Sequence, residues 1–368
     1  MLNNKRILII KPSSLGDIVH TLPLAHAVKR CFPKSFIGWI VQQSFASLLQ
    51  ADNSIDAVYP IRIPSTSDPQ AGRCAWFNAL RATLNTLHSL RRQFRQQPYD
   101  LLLDLHASFR SGLLGRSNPG GQRAGFSTAK ELNTLFQNHL IHIPETTVHA
   151  QEKNLLFCDY LGIRTADKDF HLRTGTKDRR AVRQFLLSQD ITETSPLIYA
   201  NPAARWQTKF WPKEHWAALS DTLHENGITV IFGGSPHDRK YLAAIAQLMQ
   251  TEPIIAAGDL TLPQSAALIQ QSSLYIGLDS GPMHIAALAG TPVVALFGPT
   301  HPSRVGPYTR PGSRRQHRIV RAEELDCLEC RKRSCPHRSC MRKISPERVY
   351  ETATSLLQVH RNSGRERK

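Results

Sequence analysis

None of the 368 residues form an apolar stretch of the roughly 18–20 residues that a bilayer-spanning helix requires. The only apolar run near the N-terminus, Ile7–Ile10, is broken by Lys11. That is too short for the core of a signal peptide, so the expected location is the cytoplasm. Neither a Walker motif nor a G-x-G-x-x-G fingerprint occurs, which excludes the two commonest nucleotide-binding signatures. The aromatic signature of an RRM is missing too, as is any tandem repeat of fixed period. Acid is scarce: 29 Asp and Glu stand against 46 Lys and Arg, a formal charge of +17. Such a surface either serves solubility alone or attracts anions, whether nucleic acid, lipid headgroups or phosphorylated small molecules. The basic residues are spread out, with local concentrations at Arg91, Arg92 and Arg95, at Arg331, Lys332 and Arg333, and in the tail 361–368.

What is present is a rhythm of short apolar runs alternating with helical patterns, the βα order of a parallel sheet. In the first half, 6–10, 36–41 and 99–105 read as strands, and 17–31 and 76–97 as helices. Pro23 should kink the first helix or delay its regular part. In the second half, 197–200, 229–232, 254–256, 274–277 and 293–297 read as strands. Helices at 213–226, 236–250, 263–271 and 281–290 lie between them. Gly227 and Gly290 fall where helix-ending glycines belong. The polar stretch 163–194, with one short helical piece, reads as a linker. Two α/β domains follow, 1–175 and 176–345, then a helix at 346–360 and the basic tail.

In open α/β sheets ligands bind beyond the carboxyl ends of the strands, so polar residues at strand ends carry the information. Lys11, Ser13, Ser14, Gly16 and Asp17 follow a strand and open a helix. Asp17 is either a helix-capping acid or a general base with the reach to meet a substrate hydroxyl. The stretch "GLDSGPMHIAALAG" places Asp279, Ser280 and Gly281 at a strand end, with His284 one turn into the next helix. The N–H groups of Ser280, Gly281 and Met283 there would form an anion cradle. His284 alone reads as a core histidine; its loop favours a ligand contact. The stretch "NPAARWQTKFWP" carries Arg205, Thr208 and Lys209. It is either a solvated basic loop or a source of positive charge for a departing phosphate. In "FGGSPHD", Gly233 and Gly234 would allow close backbone approach, and Asp238 either accepts from ribose hydroxyls or faces a helix dipole.

Together the stretches "ILIIKPSSLGDIVHTLP", "KFWPKEHWAAL", "VIFGGSPHD" and "LDSGPMHIAALAGTPVVALFGPT" resemble glycosyltransferase family 9, the bacterial lipopolysaccharide heptosyltransferases. The opening stretch is most similar to the first inner-core enzyme. The resemblance implies a GT-B fold, two Rossmann-like doubly wound parallel-sheet domains facing across a cleft, with the last helix often returning to the N-terminal domain. It implies ADP-heptose as donor on the C-terminal domain and a phosphorylated Kdo-lipid A acceptor near the N-terminal domain. It further implies inversion without a catalytic metal, at the anionic inner face of the inner membrane. Asp17 matches the family's base, and Lys209 would act on the leaving diphosphate. Ser13, Ser14, Gly16, Arg205, Thr208, Asp238, Asp279, Ser280, Gly281 and His284 are then donor-side candidates. Arg73, Arg81, Arg91, Arg92 and Arg110 are candidate contacts to acceptor phosphates. Ala203 and Ala204 stand where the family often carries hydroxyl residues, which leaves a different nucleotide sugar open.

Cys327, Cys330, Cys335 and Cys340 form a cluster that opens with C-x-x-C, a pattern of metal knuckles. Structural zinc is the first expectation and iron the second, with His337 as a substitute ligand. The alternative is free thiols in a reducing compartment. A basic nucleic-acid binder built on this knuckle is the competing function. It has no use for Asp17 or the Asp279–His284 turn, so no nucleic-acid partner is expected.

Overall fold

The computed structural model describes residues 2–64, 75–191, 195–310, 312–313 and 316–365. The chain divides into two compact units, 1–170 and 171–368. The division falls inside the polar stretch 163–194, a few residues before the expected boundary.

The first unit runs β1 (Arg6–Ile10), α1 (Leu15–Cys31), β2 (Phe36–Gln42), α2 (Gln43–Gln50), β3 (Ala57–Ile61), α3 (Ala75–Gln96), β4 (Leu101–Asp104), α4 (Phe109–Gly115), β5 (Gln122–Phe126), β6 (His139–Ile141) and α5 (Ala150–Tyr160). The sheet order is β3-β2-β1-β4-β5-β6, and every pairing is parallel. The second unit runs α6 (Thr176–Ser188), β7 (Leu197–Asn201), α7 (Lys213–Glu225), β8 (Thr229–Phe232), α8 (Arg239–Ala246), β9 (Ile254–Ile255), α9 (Leu262–Gln271), β10 (Leu274–Leu278), α10 (Gly281–Ala289), β11 (Val293–Phe297), α11 (Pro302–Val305), β12 (His317–Arg321), α12 (Ser339–Arg342) and α13 (Pro346–Arg365). Its order, β12-β11-β10-β7-β8-β9, repeats the first, again all parallel. Each unit is a six-stranded Rossmann-like α/β domain.

The central strands are continuous apolar runs because helices cover both sheet faces. Ile7–Ile10 and Leu101–Leu103 are buried, as are Leu197–Ala200, Leu274–Leu278 and Val293–Phe297. α1 begins at Leu15 and continues through Pro23, so the proline does not delay the helix. Pro23 lies in a buried stretch, Ile18–Val28, whose packing holds the segment helical despite the missing N–H. Gly227 and Gly290 have φ of 72° and 87°, the left-handed values that end α7 and α10.

The sequence left open a return of the last helix to the first domain. The apolar stripe of α13, Val349, Ala353, Leu356 and Leu357, joins the core of the second unit with Trp211, Trp216 and Ile276. The Trp211 indole donates to Ile344 O at 2.9 Å, fixing the approach to this helix.

Candidate active site

In both sheets the strand order reverses between two central neighbours, β1 and β4 in the first unit and β7 and β10 in the second. A crevice opens at such a point because the two crossover helices leave on opposite faces.

In the first unit, Lys11 lies just beyond β1 and is buried. Its Nζ donates to Leu105 O, beyond β4, at 2.7 Å and sits 3.6 Å from Asp17 Oδ1. Asp17 Oδ2 accepts from Ser14 N at 3.0 Å and from Ser14 Oγ at 2.7 Å. The capping reading of Asp17 is therefore realised, yet its side chain is 41% exposed and keeps an open oxygen edge. Gly16 is buried in the same turn, with Ser13 half-buried and Ser14 exposed.

Burial by itself would raise the Asp17 carboxyl. The Lys11 charge, the two Ser14 hydrogen bonds and His106 overcome this and hold it below the ordinary 3.8. Asp17 is thus ionised at neutral pH. The stability its charge contributes is present above pH 3.8 and is lost as pH falls through the lowered value.

His106, beyond β4, joins this edge, and no local sequence pattern marks it. Burial first, then the Lys11 charge, pushes its imidazole below the usual 6.5, against the opposing pull of Asp104, Asp17 and the Ser13 backbone. A neutral imidazole therefore stands beside Asp17 at neutral pH. Its loop is held by buried Asp104, whose Oδ1 accepts from His106 N and Ala107 N at 3.0 and 3.1 Å. Asp104 Oδ2 accepts from Ser111 Oγ and Asn133 Nδ2 at 2.9 and 2.7 Å.

In the second unit, Lys209 closes a short 3-10 turn, Gln207–Lys209, beyond β7. Its Nζ donates to Asp279 Oδ2 at 2.6 Å and to Asp279 O at 3.0 Å, beyond β10. Thr300 Oγ1 donates to the same carboxylate oxygen at 2.7 Å. Asn201, at the end of β7, donates to Ala203 O at 2.7 Å and to Ser280 Oγ at 3.4 Å. The structure thus gathers Asn201, Lys209, Asp279 and Ser280 at one edge, with Gly281 opening α10 above them and His284 buried behind. Pro282 has no N–H, and Met283 N is spent on Ser280 O at 3.2 Å. The cradle is therefore narrower than expected, with Ser280 N and Gly281 N at its head.

Three donor-side candidates stand elsewhere. Thr208 is buried and donates to Lys332 O at 2.9 Å, so its hydroxyl turns into the cysteine segment. Asp238 accepts from Ser235 N and Oγ at 2.8 and 2.6 Å, the role of a capping acid beyond β8, away from the strand reversal. Arg205 is exposed on the loop. Gly233 is needed for a different reason than ligand approach: a Cβ there would collide with the buried Tyr199 ring.

A protein-family model for glycosyltransferase family 9 (heptosyltransferase) matches residues 87–340. The chain belongs to glycosyltransferase family 9. Among curated relatives, the lipopolysaccharide core heptosyltransferase OpsX of Haemophilus influenzae is 28% identical over 308 residues, 83% of this chain and 82% of that protein. Lipopolysaccharide heptosyltransferase 1 of Escherichia coli K12 is 26% identical over 311 residues, 82% of this chain and 91% of that one. Among solved structures, a family 9 glycosyltransferase from Veillonella parvula superposes with a TM-score of 0.78 at 25% identity, covering 97% of this chain and 98% of that one.

The matched span of this family 9 chain holds His106, the Lys209 turn and the Asp279–His284 turn, whereas Lys11 and Asp17 precede it. The candidate acceptor arginines scatter. Arg73 lies outside the described residues. Arg110 is half-buried on α4, with Nη1 3.5 Å from Pro64 O. Arg81, Arg91 and Arg92 are exposed on α3. A crossover helix runs antiparallel to its strands, so Arg91 and Arg92, at its far end, lie about 15 Å further along the axis than Arg81. They are displaced from the carboxyl edge of the sheet.

Among the described residues, none of the four clustered cysteines is joined in a disulfide. They line one cavity of about 280 Å³ together with His337 and Thr208. Burial, then the neighbouring Cys330, Cys327 and Cys335, raises the Cys340 thiol. Among the described residues, no three His, Cys, Asp or Glu side chains converge closely enough to hold a metal ion. The donor set suits a thiolate site.

The Lys209–Asp279 pair is mostly buried, so removing one partner strands the other. Lys209→Met should lower stability by about 3–5 kcal/mol in denaturant unfolding. Adding Asp279→Asn should recover most of that loss, because the uncompensated charge is gone and Thr300 keeps an acceptor. A double variant as unstable as the single one would contradict the pairing.

Proposed function

We propose that this chain transfers L-glycero-D-manno-heptose from ADP-heptose to the Kdo/heptose inner core of lipopolysaccharide, with inversion at the sugar carbon. The observation that carries this reading is that each Rossmann-like unit places an ionic cluster at its strand reversal, one built around an open carboxylate and the other around a lysine. The names of the relatives supply the substrate class.

In this mechanism the acceptor hydroxyl meets Asp17, which takes its proton as the oxygen attacks the anomeric carbon. The bond from that carbon to the diphosphate oxygen breaks, and its electron pair leaves with ADP. The Lys209 ammonium and the N-terminus of α10 neutralise the charge that develops on the departing diphosphate. Ser280 and Gly281 offer N–H groups to it, and Asn201 holds the Ser280 hydroxyl. His106, neutral beside Asp17, is placed to accept or donate a hydrogen bond to the acceptor sugar. We also propose a location at the inner face of the inner membrane, where such an acceptor is made. No helix among the described residues is long and apolar enough to cross a membrane.

Ala203, which is buried, and Ala204, which packs against the core, carry no hydroxyl to offer a diphosphate. This favours one further reading, a related transferase using another nucleotide sugar. Transfer from ADP-heptose to Kdo-lipid A and to its mono-heptosylated product, run beside other nucleotide sugars, separates the two. Turnover of one acceptor with ADP-heptose is the expected result; turnover only with another donor overturns the first reading. In the same assay Asp17→Asn should lower kcat by about 10²–10⁴-fold. The acid limb of wild-type kcat/KM that reports protonation of Asp17 should have its midpoint below pH 3.8. Near-normal turnover by Asp17→Asn excludes it as the base.

For the cysteine segment we propose a structural metal, zinc before iron, held by Cys327, Cys330, Cys335 and Cys340. Its support is the donor set around one cavity. Elemental analysis of protein purified without chelators should find one equivalent; the absence of both metals removes the site.

A further inference from the structure

α3 carries more apolar surface than a crossover helix can bury. Its inner side is accounted for: Ala79, Thr83, Leu90 and Phe94 are buried, the last two in the core with Tyr99 and Ile40. Its outer side is not. Phe77, Leu80 and Leu84 are 64%, 42% and 57% exposed. Scattered exposed leucines are ordinary, but three large apolar side chains on one face of one helix mark a binding surface.

The rest of that face is basic. Phe77, Arg81, Leu84, His88, Arg91 and Arg95 recur at spacings of four and three, a single stripe along the helix, and Leu80 and Arg92 flank it. All eight are exposed. The 22 residues of α3 include no Asp or Glu. Among the described residues, none of the four arginines has a carboxylate partner. The stripe is therefore apolar at its start and cationic towards its end. The apolar start follows β3, at the carboxyl edge of the sheet where Lys11 and Asp17 stand, because a crossover helix returns from that edge.

We propose that the outer face of α3 is a docking surface for an anionic lipid bilayer, with Phe77, Leu80 and Leu84 entering the headgroup–acyl boundary and Arg81, Arg91, Arg92 and Arg95 meeting lipid phosphates. The charge decides between occupants. A second copy of a chain with +17 net charge would bring like charge to this stripe, whereas an anionic leaflet complements it. The inference deepens the membrane location proposed above and rests on it. Docking by the start of α3 would hold the carboxyl edge of the first unit close to the surface in which a lipid-anchored acceptor lies.

The test is co-sedimentation of the full chain with phosphatidylglycerol–phosphatidylethanolamine vesicles and with phosphatidylcholine vesicles. Binding should be confined to the anionic vesicles and should weaken as salt is raised. The double variant Phe77→Ser/Leu84→Ser should partition at least about tenfold more weakly. Arg95→Gln alone should cost about fivefold. Turnover of a de-acylated, water-soluble Kdo acceptor should be unchanged in Phe77→Ser/Leu84→Ser, while turnover of acceptor embedded in vesicles falls. Unchanged vesicle binding by this variant overturns the role of α3 even if transfer is intact. Vesicle binding that depends on α3 without heptose transfer leaves the docking surface standing and removes the substrate reading. A wild-type dimer that the variant turns to monomer, with no vesicle binding by either, shows the occupant to be a second copy and overturns the proposal.

Discussion

A lysine is fastened across the strand reversal of each sheet, and the polar residues at each reversal are arranged around its ammonium group. Lys11 links the end of β1 to Leu105 beyond β4, and Lys209 links the end of β7 to Asp279 beyond β10. A crevice opened by topology alone would be a gap between loops. A buried ammonium needs compensating acceptors, so the loops on both sides must present oxygen to it. The two units meet this requirement differently. Lys11 satisfies itself mainly on a backbone carbonyl and leaves the Asp17 carboxylate partly open. Lys209 takes up both the carbonyl and the carboxylate of Asp279. The first arrangement leaves a carboxylate partly exposed, and the second holds a cation against its carboxylate at the edge of β7 and β10.

The same charge sets the protonation of its neighbours. Lys11 pulls Asp17 below the ordinary carboxylate value and, with burial, keeps His106 neutral. The contrast with Asp238 is instructive. Ser14–Asp17 and Ser235–Asp238 make the same hydrogen bonds at the start of a helix. Only the first pair stands at a strand reversal beside a buried lysine. The capping device is shared; its surroundings turn one copy of it into a candidate base.

Much of this was legible because parallel strands buried on both faces must be long apolar runs, and β1, β4, β7, β10 and β11 are. The strands missed from sequence are those outside that rule. β3 contains Pro60, β5 is polar at its start, β6 has three residues, and β12 is an edge strand whose two apolar residues are flanked by His317, Arg318 and Arg321. The loops after β1, β7 and β10 were found because their polar residues interrupt apolar runs. His106 was not, since its partners Lys11 and Asp17 lie far away in sequence. The available signal was topological: in an order that places β1 beside β4, whatever follows β4 meets whatever follows β1. Residue type and proximity in sequence are all that point to Thr208, Arg91 and Arg92. Their directions depend on how a short turn and a long helix present side chains, which no local pattern carries.

The central claim is that the crevice between β7 and β10 receives the diphosphate of the donor at Lys209. Calorimetric titration of ADP into wild type and into Lys209→Met, with folding of the variant checked in the same buffer, tests it most directly. Loss of a charge-assisted contact should weaken ADP binding by about 10- to 100-fold. Equal affinity in a folded variant would show that the diphosphate is held elsewhere, and the lysine would be left with a structural role alone.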